Sequence, residues 1–156
     1  MIIDSPNKAT ALRIFLRVCG VLIVILFSLL FVGVVVQAPV LVTEHGALHW
    51  AGWNDVRCDN EAGDAVLMLL LIYIVWGVFL LRASRNPPAY MSFLSFTMWA
   101  NLAHGLLMAV MAAMSLDENW SKFFYDIPFA LIIALGIYLL RPTPTVEQHS
   151  PATESL

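Results

Sequence analysis

The chain alternates four long apolar runs, at about residues 11–36, 65–81, 90–114 and 123–140, with short polar intervals. A helix needs roughly 20 apolar residues to cross a bilayer core about 30 Å thick, and each run comes near that length or exceeds it. The pattern predicts an all-α fold: a four-transmembrane-helix bundle forming one domain over residues 1–141. The tail, 142–156, is rich in Pro, Thr, Ser and Glu, has no apolar period, and is expected to be disordered.

Only the third run carries a polar stripe. Thr97, Asn101, His104, Met108 and Met111 recur at spacings of three and four, which stacks them on one helix face about 80° wide. Roughly 100° around the same helix lie Gly105, Ala109 and Ala113, small residues that let another helix approach closely in lipid. An Asn and a His facing lipid are costly, so both are expected to point into the bundle and find partners there. Two candidates for that role are Tyr73, at mid-depth of the second run, and Asp126, near the outer end of the fourth. Asp126 is structural if it caps the last helix, whereas turned towards His104 it forms an ionisable pair inside the membrane. Pro128 leaves two readings of that helix: a start at Ile127 with Asp126 as N-cap, or a longer helix kinked at the proline.

Segment ends follow from local chemistry. Ser5-Pro6 suits a helix start, and Arg85-Asn86-Pro87-Pro88 makes a rigid connection that no helix can continue through. The first run is longer than a signal peptide's apolar region and ends in Val36-Gln37-Ala38-Pro39 without a small-x-small site, so a retained anchor is expected. Between 43 and 64 the chain is polar, with Trp50 and Trp53 interleaved, as suits a segment lying in the headgroup region.

Composition agrees with the pattern: 60% hydrophobic, 12% charged, and a mean hydropathy of +0.81. The lipid bilayer is the implied partner, and no basic nucleic-acid patch is present. Lys8, Arg13, Arg17, Arg82, Arg85 and Arg141 fall on one side of the implied topology, against Arg57 and Lys122 on the other. Both termini are therefore expected in the cytoplasm.

The second and fourth runs also align. Ile74-Val-Trp-Gly77-Val-Phe-Leu-Leu-Arg82 matches Ile133-Ala-Leu-Gly136-Ile-Tyr-Leu-Leu-Arg141 at five positions of nine, which makes Gly77 and Gly136 candidate helix-packing positions and hints at duplicated hairpins. Apolar sequences match easily, so a true repeat stays open.

Reactive chemistry is sparse. Cys19, inside the first run, and Cys58, in the polar interval, are too far apart by topology to form a disulfide. His104 is the strongest single candidate, as a strut, a pocket residue, a proton relay or a ligand. No second histidine shares its depth, so neither a metal site nor a cofactor is expected, although Met108 and Met111 would suit a soft metal. The acidic run Asp55, Asp59, Glu61, Asp64 lacks the spacing of a calcium loop and reads as solvated. Asn119-Trp120-Ser121 has the form of a glycosylation acceptor but lies close to the bilayer.

The stretch Ala83-Ser84-Arg85-Asn86-Pro87, then Ser92-Phe93, then Phe96-Thr97-Met98-Trp99-Ala100-Asn101-Leu102-Ala103-His104-Gly105 resembles an uncharacterised family of small bacterial four-span integral membrane proteins. The resemblance covers the middle third of the chain. It implies the same fold and the bacterial cytoplasmic membrane, and it brings no activity. That family's turn reads Ser-Arg-Asp-Pro, and Asn86 replaces the carboxylate here.

Three functional readings stay open. The first is a structural or accessory protein, with a membrane-protein partner or as a homodimer through the Gly105 ridge. The second is a small-molecule, lipid or proton-coupled carrier with a pocket around Asn101 and His104, and the third is a membrane enzyme using those residues. A strut needs both side chains paired and no adjoining cavity of about 300 Å³ or more, while a carrier or an enzyme needs the cavity.

Overall fold

The computed structural model describes residues 6–42, 61–114, 120–124 and 126–142, and every regular element among them is helical. In chain order these are α1 (Pro6–Val35), a short α2 (Pro39–Val42), α3 (Glu61–Ala83), a 3₁₀ turn (Pro87–Tyr90), α4 (Met91–Met114), a second 3₁₀ turn (Trp120–Phe123) and α5 (Asp126–Leu140). The polar interval around Trp50, Trp53 and Cys58, the Asn119 acceptor position and the tail beyond 142 lie outside the described residues.

Three helices, over Asn7–Val35, Ala65–Ala83 and Pro87–Met114, are long and apolar enough to cross a membrane, and α5 is apolar but shorter. At 1.5 Å per residue, the 15 residues of α5 reach only about 22 Å. The apolar run from 123 suggested 18 residues, but Phe123 ends the 3₁₀ turn and Phe124 still lies in a turn. Pro128 sits in the first turn of α5, where a missing N–H leaves no hydrogen bond unmade, so the helix starts at Asp126 and the proline breaks no helical hydrogen bond.

The other boundaries differ by a few residues. α1 opens on Pro6, the favoured first-turn proline. α3 begins at Glu61 and takes in Asp64, residues assigned above to the polar interval. α1 ends in a Schellman arrangement: Gln37 adopts φ 52°, its N–H bonds Val34 O at 3.1 Å, and Ala38 N–H bonds Gly33 O at 2.8 Å.

Glycines set the helix pairs. A Cβ on Gly77 would lie 2.8 Å from Ile23 Cγ2, and one on Gly20 would lie 3.0 Å from the Gly77 carbonyl, so α1 and α3 approach almost backbone to backbone. Gly105 meets α5, where a Cβ would lie 3.0 Å from Leu131 Cδ2 and 3.4 Å from Ala130 Cβ. Gly136 receives the Phe15 ring of α1 and so joins the two pairs. The small-residue ridge of α4 is therefore divided: Gly105 is covered by α5, Ala109 is half-buried and Ala113 is exposed.

The core is thickest at the end that carries Arg82 and Arg141. There Leu12, Leu16, Leu80, Leu94, Ile133 and Ile137, from all four long helices, form one buried cluster. At the opposite end a smaller cluster, Val34, Leu41 and Leu70, draws only on α1, α2 and α3. Packing runs along α1 with α3, along α4 with α5, and more thinly between α1 and α5. The two pairs are clamped together at the arginine end, and α3 and α4 diverge above it.

Candidate functional site

That divergence makes the site. α3 and α4 are consecutive in the chain and antiparallel, yet they do not pack along each other. Between them lies a cleft of about 550 Å³, open on one side, with Tyr73, Trp76, Thr97, Asn101 and His104 among its lining residues. Its lower rungs are bridged by side chains. The Phe79 and Phe93 rings meet with centroids 5.8 Å apart, and one turn further along, Trp76 Nε1 donates to Thr97 Oγ1 at 3.2 Å. Among the described residues no hydrogen bond or ring contact crosses between the helices beyond that point, at Tyr73 and Leu69 on α3 or at Asn101 and His104 on α4.

An aromatic cluster holds the α3 wall in place. Phe27 of α1 stacks on Tyr73 at 4.5 Å with the rings 14° apart, and also meets Phe129 of α5 at 6.4 Å. Tyr73 in turn stands edge-on to Trp76 at 5.7 Å. Such contacts fix ring positions by packing and quadrupole geometry, so the wall presents rigid apolar faces.

Asn101 is only 9% exposed, and its Nδ2 donates to the Thr97 carbonyl at 2.8 Å, within its own helix. His104 departs from the inward, paired position expected above: it is exposed at the cleft mouth and makes no hydrogen bond among the described residues. Because α3 and α4 do not pack along each other, the partners expected for it, Tyr73 and Asp126, make no hydrogen bond to it among the described residues. Asp126 is exposed and within electrostatic range of Lys122, His104 and Tyr73, with no hydrogen bond to any of them among the described residues. Met108 is half-buried, Met111 is exposed, and neither lines the cleft. Cys19 is a free thiol, and no group of three metal-binding side chains occurs among the described residues.

The Trp76–Thr97 bond is the tie between the divergent helices, and Thr97 is 1% exposed, so a lost partner there finds no replacement in water. Thr97→Val, which keeps shape and removes the acceptor, is expected to cost about 1 kcal/mol. Thr97→Ser should restore most of it. Detergent-solubilised unfolding curves of the two variants check this, and equal stability of Thr97→Val and native protein would remove the bond from the account.

Sequence reasoning reached Tyr73, Thr97, Asn101 and His104 but missed Phe27, Trp76, Phe79, Phe93 and Phe129. One signal was available: Tyr73, Trp76 and Phe79 recur at spacings of three, an aromatic stripe on α3 to match the polar one on α4. The described chain is helical, with three helices long and apolar enough to cross a membrane and an open, largely apolar recess between α3 and α4. The chain belongs to the family of unknown function DUF6632, whose match extends over residues 6–155. Neither the curated proteins nor the solved structures contain a match to it.

Proposed function

We propose that this is a multi-pass membrane protein that holds a hydrophobic small molecule or lipid in the cleft between α3 and α4. The observation that carries the reading is the cleft of about 550 Å³ adjoining Asn101 and His104, since clefts of about 300–1,000 Å³ are the size that buries a small ligand. A purely structural role for the polar stripe needs no such space and needs His104 paired. The recess opens sideways and is bridged below by the Trp76–Thr97 and Phe79–Phe93 contacts, which favours capture from the lipid phase over passage from one side to the other. In this proposal the arginine-bearing end, with both termini, faces the cytoplasm of a bacterial cell, by the excess of basic residues there. A homodimer through the Gly105 ridge loses support, because Leu131 and Ala130 already cover that glycine.

Ala100 lines the cleft and is exposed, so a large side chain there fills the recess without overpacking the core. Native mass spectrometry of the protein purified in mild detergent is expected to show a retained hydrophobic molecule, which Ala100→Trp loses while staying folded. Retention of the same molecule by Ala100→Trp, or none by the native protein, would defeat the reading.

A further inference from the structure

We propose that the cleft selects hydrophobic molecules carrying a hydroxyl group, an alcohol or a phenol, and that the Asn101 carboxamide oxygen accepts the hydroxyl hydrogen. This rests on the binding role proposed above and adds the chemistry of the ligand.

The argument begins with the orientation of one amide. Asn101 Nδ2 donates to the Thr97 carbonyl at 2.8 Å, and because a carbonyl only accepts, the NH₂ end of the side chain is identified without ambiguity. Oδ1 is therefore the other end. The side chain is nine-tenths buried and belongs to the cleft lining, and among the described residues nothing donates to that oxygen. Of the donors in the lining, the Trp76 indole N–H already bonds Thr97 Oγ1, and neither the Tyr73 hydroxyl nor the His104 ring makes a hydrogen bond to Oδ1 among the described residues.

Depth makes this acceptor consequential. Asn101 is ten residues beyond Met91, about 15 Å along α4, which is mid-bilayer for a helix spanning a core about 30 Å thick. No water is available at that depth, so the donor has to come with the occupant. Buried polar atoms without partners are rare enough that each calls for a reason.

The remaining wall narrows the chemistry. Tyr73, Trp76, Phe79, Phe93 and Phe96 offer aromatic faces to an apolar body, with a flat ring best suited to them. Among the described residues no Lys or Arg lines the cleft, so an anionic head group has no counter-charge there. An ether or ketone brings acceptors only and leaves Oδ1 unmet. A hydroxyl meets it, and His104, one turn further out on the same helix face, is placed near the mouth where the hydroxyl oxygen can be approached by its ring N–H.

Two matched probes test this, para-octylphenol and para-octylanisole, which differ by methylation of the one hydroxyl. Binding to the full chain in mild detergent is measured by titration calorimetry, with Ala100→Trp as the blocked control. Native protein is expected to bind the phenol about tenfold more tightly than the anisole, the equivalent of one well-made buried hydrogen bond. Asn101→Leu should lower phenol affinity to the anisole level and leave the anisole unchanged. Equal affinity of native protein for both probes, or a phenol preference that survives in Asn101→Leu, overturns the hydroxyl proposal while leaving the cleft as a binding site. Binding of neither probe overturns both, and a native chain that is dimeric and binds neither would mean that a transmembrane helix fills the recess. The two-probe comparison on native protein remains decisive if Asn101→Leu does not fold.

Discussion

Gly136→Ala is expected to destabilise the protein by about 1–3 kcal/mol, the usual range for forcing an extra group into a filled core. Alanine is the better helix former by about 1 kcal/mol, so an exposed glycine at this point in α5 would be improved by the change. Gly136 is not such a position, because the added Cβ would fall within the Phe15 ring of α1. Phe15 packs against the buried cluster of Leu12, Leu16, Ile133 and Ile137, so the ring cannot swing away without disturbing its neighbours. The same logic names the cure. Phe15→Leu shortens the side chain, and in the double variant most of the loss caused by Gly136→Ala should return, with a coupling well above the few tenths of a kcal/mol expected of independent sites. A double-mutant cycle in detergent reads this directly. Additive effects would show that α1 and α5 do not meet as closely as the fold requires.

Gly136 also marks how far sequence reasoning carries in such a chain. Its alignment with Gly77 was visible, and both glycines do face α1, one receiving Ile23 and Val24, the other Phe15. Helix content was legible because long apolar runs in lipid have no other way to satisfy their backbone groups. Which faces meet was not. In a soluble helix the polar face points outward and fixes the rotation, but in these runs nearly every face is apolar and the pattern leaves rotation undetermined. That is why the stripe of Thr97, Asn101 and His104 was found, while its expected consequence, a helix enclosed on all sides, failed at His104. Thr97 is tied to α3 by Trp76 and is buried, Asn101 is buried one turn on without such a tie, and His104, three residues further, is exposed. The short α5 was hidden for a related reason: Phe123 and Phe124 continue the apolar run while the backbone is still turning.

The aromatic cluster was the least legible part, since Phe27, Trp76 and Phe129 each lie in an apolar run whose pattern leaves helix rotation undetermined, and it gives the second large expected effect. Phe27→Ala should cost about 2–3 kcal/mol, below the 3–5 typical of a fully buried phenylalanine because the ring is half-buried and lipid lessens the penalty of exposure. Three helices lose a common contact in this variant: α1 contributes Phe27, α3 the stacked Tyr73, and α5 Phe129. Phe27→Leu keeps most of the volume and should retain more than half of the stability, so the two variants separate filling from stacking. They also separate scaffold from site. Tyr73 lines the cleft and is held between Phe27 and the edge of Trp76, so removing Phe27 frees one wall of the recess without touching Asn101. In Phe27→Ala, affinity for both para-octylphenol and para-octylanisole should fall together, with their ratio preserved, because the wall contributes area and Asn101 contributes the preference. A loss confined to the phenol would place the hydroxyl against Tyr73 instead of Asn101, and unchanged affinity for both would mean that the stacked wall takes no part in binding.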